Sequence, residues 1–157
     1  MSDEAAVKKL ALEHCWRIND RDIEGLLELY SPSVHFEDPV GSGPRRGHAE
    51  LRAHAAQAIA GGVTEIPGTP IGAMDARHAA LPVTGVLPYV PGSPLLAALG
   101  LSGVPADPAG KVLIVNYVMV IAVGDSGRIE LMRSYWGTSD VHVADRSAIP
   151  PEGRHGR

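Results

Sequence analysis

Apolar residues recur along the N-terminal third of this chain at helical spacing, then switch to the alternation of strands. Val7, Leu10, Ala11 and Ile18 form one helical stripe, and His14 falls on it. Asp3 or Ser2 can cap that helix, which is expected to end near Ile18. NDRD (19–22) reads as a turn, with Asp22 capping a short second helix over 23–30 that Ser31–Pro32–Ser33 ends. At 34–38 the period becomes two, so Val34, Phe36 and Asp38 share a face. PVGSGPRRG leads into a third helix over 48–60, stopped by Gly61 and Gly62.

Beyond it the strand pattern dominates. Residues 64–66 read as a short strand before Pro67. Residues 78–90 read as a strand that Pro82 and Pro88 make an edge or a kink. The proline- and glycine-rich stretch 91–110, around the apolar piece 95–101, reads as an ordered loop with one helical turn, and loops of this length often cover a site. Residues 111–123 are apolar on both faces, as a strand under a second layer would be. GDSG (124–127) is a hairpin turn, 128–136 the returning strand, and 141–144 a last short one. Helices first and long strands last predict an α+β domain over 1–145: three N-terminal helices packed on one face of a curved, mostly antiparallel sheet, with a pocket between them. The tail 146–157 is expected to be disordered.

Composition narrows the function classes. At 157 residues the chain can build one real core, and 45% hydrophobic with 20% charged is a soluble composition. A net charge of −4 argues against nucleic acid as partner. No stretch is long enough for a membrane span, and MSDEAAVKKL does not read as a secretory signal, so the cytoplasm is the expected location. Cys15 is the only cysteine, which excludes an internal disulfide and a cysteine zinc site. His48, His54, His78 and His142 lack metal-ligand spacing, and no metal is expected.

The chemical question lies in HFEDPVGSGPRRG (35–47). An acid on a core-facing strand position needs a reason. The segments Ile18–Asn19 with Asp22, LYSPSVHFEDPVGSGPRRG and MRSYWG resemble the ketosteroid-isomerase-like branch, SnoaL-like domains included, of the cone-shaped fold shared with nuclear transport factor 2. EH (13–14), RIN (17–19), EDPVG (37–41), GHAELRAH (47–54), LPYVPGSPL (87–95) and SYWGTSDV (134–141) resemble, more closely, the small epoxide hydrolase/cyclases of polyether ionophore biosynthesis. That resemblance covers nearly all of 5–143. It implies opening of polyketide epoxides to tetrahydrofuran or tetrahydropyran rings, without cofactor, by an aspartate and a glutamate that map onto Asp38 and Glu65. The steroid isomerases' two oxyanion donors fall instead on His14 and Met119, and Met119 cannot donate a hydrogen bond.

Two carboxyl groups of opposite protonation state suit epoxide opening: Asp38 as base on the attacking oxygen and Glu65 as acid on the epoxide, or the reverse. His14 would bond Asp38 or substrate. Trp16, Tyr30, Tyr89, Tyr117, Met119, Met132 and Trp136 are candidate walls of a substrate pocket. The competing accounts are plain. Asp38 could cap the backbone amides near Gly41, Glu65 could be an exposed strand residue, and His14 and the large apolar residues could be core. Other functions remain open: a dehydrative pyran-forming cyclase pairing Asp38 with Asp107, a steroid-type isomerase, or a silent ligand-binding or allosteric paralogue. The expected partners are a small polyketide substrate and a second subunit, a homodimer or a paralogous pair burying the outer sheet face.

Overall fold

The computed structural model describes residues 3–101 and 103–149. Three helices and the first two strands precede the rest of the sheet. Helix α1 (Glu4–Asn19) starts where the Asp3 carboxylate accepts the Ala6 N–H at 2.7 Å. Its stripe buries Val7, Ala11, His14, Cys15 and Ile18. Asp22 caps α2 (Ile23–Glu28) through the Gly25 N–H at 2.9 Å. This helix is shorter than expected, because Tyr30 already belongs to strand β1 (Tyr30–Glu37). Ser31–Pro32–Ser33 is not a terminator. It lies in a bulge, where the register of β1 slips between Tyr30 and His35. Strand β2 is Arg45–Arg46, and α3 spans Gly47–Ala60.

The sheet continues as β3 (Thr64–Pro67), β4 (Ile71–Gly72), β5 (His78–Pro88), β6 (Lys111–Val123), β7 (Ile129–Tyr135) and β8 (Val141–Asp145). Its order is β2-β1-β7-β6-β5-β3, with β4 also on β5 and β8 on β6. All pairings are antiparallel except β1 with β7. The sheet is curved and open, not closed into a barrel. The α+β expectation holds.

Strand β5 corrects the edge expectation, since it lies between β6 and the β3/β4 pair. Pro82 is tolerated there because its carbonyl accepts the Gly68 N–H at 2.7 Å, in the gap where β4 has ended and β3 has not begun. Its missing N–H points into that same gap, so no ladder bond is lost.

Register separates the faces. Leu81, Met119 and Ser134 lie side by side across β5, β6 and β7, and all are buried. One residue along, Pro82, Val118 and Tyr135 form the opposite row, with Val118 40% and Tyr135 46% exposed. The helices cover the first face, so the main core is Val7, Leu26, Val34, Phe36, Leu51, Leu81, Ile121 and Met132 with their neighbours. A second cluster holds Tyr89, Leu113 and Val141 with Leu96 of the strap, which runs over 91–101 and 103–110. In that strap α4 (Pro94–Leu99) is capped by Ser93 and anchored by Leu96, and the Tyr89 hydroxyl donates to the Pro105 carbonyl. Arg146–Ala148 forms a 3-10 turn whose first N–H donates to the Gly110 carbonyl at 2.8 Å, so the expected disordered tail does not begin at 146. Residues 150–157 lie outside the described residues. No helix among the described residues is long and apolar enough to cross a membrane.

Candidate active site

The alternation of β1 places Asp38 just past the buried Phe36, on the face it shares with Met132, Ser134 and Trp136 of the neighbouring chain segment. The following loop is tied back by the Val40 N–H, which donates to the Ser134 carbonyl at 2.9 Å. The amides that Asp38 could have capped belong to Glu37 instead: its Oε2 accepts the N–H of Gly41 at 2.7 Å and of Gly43 at 3.2 Å. Asp38 is thereby left to other partners. His54 Nε2 lies 2.9 Å from its Oδ2, and Trp136 Nε1 donates to its Oδ1 at 3.1 Å. Burial pushes this carboxyl up, but the bonds and charge of His54 together with the Trp136 bond outweigh it and hold it below the usual aspartate value. Its side chain is 24% exposed, so the carboxylate keeps contact with the outside.

Glu65 is the opposite case. On β3 it points inward and is 7% exposed. Its Oε1 accepts no hydrogen bond. Burial raises this carboxyl to about 7, against hydrogen bonding from Tyr117 and Cys15, and the Asp38 charge adds to the rise. Its backbone is pinned by Asn19, whose Nδ2 donates to the Glu65 carbonyl at 2.7 Å while its Oδ1 accepts the Glu65 N–H at 2.7 Å. The Tyr117 ring lies across Gly85, the ladder partner of Glu65; a Cβ there would meet Cε1 at 3.5 Å.

His14 stands beside the buried acid. Its Nε2 is 3.6 Å from Glu65 Oε1, too far for a hydrogen bond, and its Nδ1 is 2.6 Å from the Tyr30 hydroxyl. Burial lowers it to about 4, so the ring is neutral at pH 7. Burial likewise raises Tyr30, Tyr117 and Cys15 well above their ordinary values, which keeps all three protonated. One polar cluster in an apolar core therefore carries an ionised carboxylate, a carboxyl poised between its two forms, and a neutral imidazole.

The other expected residues divide. Tyr30, Tyr117 and Trp136 touch this cluster. Met119 and Met132 are buried core, with Met132 Sδ taking the Ser134 hydroxyl at 3.6 Å. Tyr89 belongs to the second cluster and Trp16 is half-buried on α1. Asp107 is exposed on the strap and accepts the Ala109 N–H at 3.0 Å. His54, Asn19 and Glu37 were not singled out by sequence reasoning. For His54 a signal existed: it lies three residues after the buried Leu51, on the inner stripe of α3. No group of three His, Cys, Asp or Glu that could hold a metal occurs among the described residues.

Epoxide hydrolase LasB of Streptomyces lasalocidi is 49% identical over 148 residues, which is 93% of this chain and 52% of that protein. The chain thus spans about half the length of the curated relative it matches. Among solved structures, the epoxide hydrolase/cyclase-like enzyme SalBIII, described by its role in pyran ring formation in polyether salinomycin, superposes with a TM-score of 0.74 at 25% identity, over 92% of this chain and all of that one. The SnoaL-like domain model matches residues 12–132, most of the folded part. On these grounds the chain belongs to the SnoaL-like domain family.

Proposed function

We propose that this chain opens an epoxide on a polyketide by attack of an internal hydroxyl, closing a cyclic ether. Asp38 removes the proton from the attacking oxygen. A new C–O bond forms as one epoxide C–O bond breaks, and Glu65 protonates the departing oxygen, which becomes a hydroxyl. No atom is gained or lost, so the net reaction is an isomerisation. The observation that carries this reading is the contrast between the two carboxyls. Asp38 is held ionised by His54 and Trp136, and Glu65 is raised to about 7 by burial, so base and acid coexist at one pH. The likeness to an epoxide hydrolase and to a cyclase-like enzyme supports the same chemistry.

Pyran formation by dehydration is the second reading; the SalBIII likeness supports pyran formation as the outcome. Asp107, the acid expected for it, is exposed on the strap and engaged with Ala109, so Glu65 would serve there too. The outer row of Pro82, Val118 and Tyr135 supports a homodimer as the working assembly, burying the face opposite the site.

The test is turnover of a synthetic bis-homoallylic epoxy alcohol, with products separated by ring size. Asp38→Asn and Glu65→Gln are each expected to fold and to lose roughly 100-fold or more in kcat, as removal of a general base or acid does. Full activity in either variant sinks the paired-carboxyl mechanism. Turnover of an unsaturated hydroxy substrate with loss of water, and none of the epoxide, moves the dehydrative reading to the front.

A further inference from the structure

Strand β3 ends the sheet, so among the described residues its outer edge has no neighbouring strand at the level of Glu65. Unpaired backbone groups that are partly buried need partners. Here the turn after α1 supplies them with side chains. Asn19 meets both the N–H and the carbonyl of Glu65, each at 2.7 Å, as the facing residue of an antiparallel strand would. Two residues back on the same edge, Arg21 Nη1 donates to the Val63 carbonyl at 2.6 Å. The same arginine donates to Ile18 at 3.3 Å, which ties it to the end of α1.

This bears on the site because the Glu65 carboxyl, bonded by Tyr117 and Cys15, is held at one oxygen only. Its Oε1 accepts no hydrogen bond, and β3 is four residues long. His14 and Cys15, which surround its carboxyl, sit on the same helix that ends in Asn19. One rigid element thus carries both the lining of the acid and the amide that sets its backbone. We infer that Asn19 is a positioning residue for the reaction: its side-chain amide replaces a missing strand and fixes where the Glu65 carboxyl stands relative to substrate.

The inference rests on Glu65 being the catalytic acid. Around that carboxyl, His14 and Cys15 come from α1 and Tyr117 from β6, with Asp38 and Arg21 acting through their charges. None of these is altered in Asn19→Ala. On the epoxy alcohol, Asn19→Ala is expected to lose about 10- to 100-fold in kcat with KM changed by less than about threefold, the pattern of a misplaced catalytic group. Freed from its clamp, the carboxyl gains water. The alkaline limb of the pH profile, near 7 in the wild type, then moves to lower pH. A merely structural amide would lower Tm and leave that limb in place. Should Asn19→Ala not fold, Asn19→Asp decides. It has the same size and still accepts the Glu65 N–H, but it sets an oxygen against the Glu65 carbonyl, and the same loss in kcat is expected.

Folded Asn19 variants with wild-type kcat and an unmoved limb overturn the inference, provided Glu65→Gln is inactive on the same substrate. An active Glu65→Gln overturns the acid assignment instead, and with it the reason for the clamp.

Discussion

Asp38 and Glu65 are both carboxyls of one core, yet their partners push them in opposite directions. Two nitrogen donors on Asp38 favour its charge; burial of Glu65, with one oxygen left bare, disfavours it. Activity by the proposed route needs Asp38 ionised and Glu65 protonated. It therefore falls as pH rises through about 7, where Glu65 loses its proton. His54 sets the other limb. In His54→Ala one donor and one charge leave Asp38, and burial then dominates. The acid limb of kcat/KM is expected to move to higher pH, read directly from the pH profile, while the alkaline limb stays. Identical acid limbs in the two proteins would mean that His54 packs against Asp38 without tuning it.

At the scale of elements, the strap and the sheet show what sequence reading reaches. Helix starts at Asp3 and Asp22 were legible, because a cap is a local pattern. So was β6, whose run of apolar residues on both faces has no other reading. At Tyr30 and Pro82 the sequence expectation fails for one reason: the average meaning of a breaker does not hold there. Ser31–Pro32–Ser33 is a bulge inside β1, and Pro82 fills a gap between two short strands, both decided by neighbours far along the chain. The site divides in the same way. Asp38 could be found from alternation on its own strand. The clamp of Asn19 on Glu65 spans 46 residues, and no local period records it. The strap offers a test at this scale. A six-residue helix is not stable alone, and α4 is seated by the one buried residue Leu96 on Tyr89 and Val141, with Trp136 against the same cluster. Leu96→Ala is expected to cost about 2 kcal/mol and to speed hydrogen exchange across 91–101 more than in β6. Because Trp136 also bonds Asp38, activity should fall with it. Uniform acceleration of exchange would show that the strap is not a separate unit.

For the whole molecule, the buried acid and the buried imidazole set opposing pH dependences. The folded value of Glu65 lies above its ordinary 4.5, so its contribution to stability is full below that value and is lost as pH rises through about 7. The folded value of His14 lies below 6.5, so its contribution is full above 6.5 and is lost as pH falls through about 4. Glu65→Gln removes the first dependence only. Relative to wild type, the variant should gain on the order of 3 kcal/mol between about pH 4 and about pH 8, measured by urea unfolding at both. A constant difference would show that Glu65 is not desolvated in the fold. Burial of the Glu65 carboxyl is thus a cost to stability at neutral pH, as buried functional groups commonly are.

The two ends of the sheet carry a further consequence. An exposed strand edge invites another chain to pair with it, and folded proteins blunt such edges. At one end β2 is two residues long and both are arginine. At the other, Asn19 and Arg21 occupy the hydrogen-bonding groups of β3. A molecule whose first helix loosened at its C-terminal turn would offer that bare edge to its neighbours. The contacts proposed to aim the acid therefore also guard solubility, and damage to them should surface as aggregated protein as well as lost turnover.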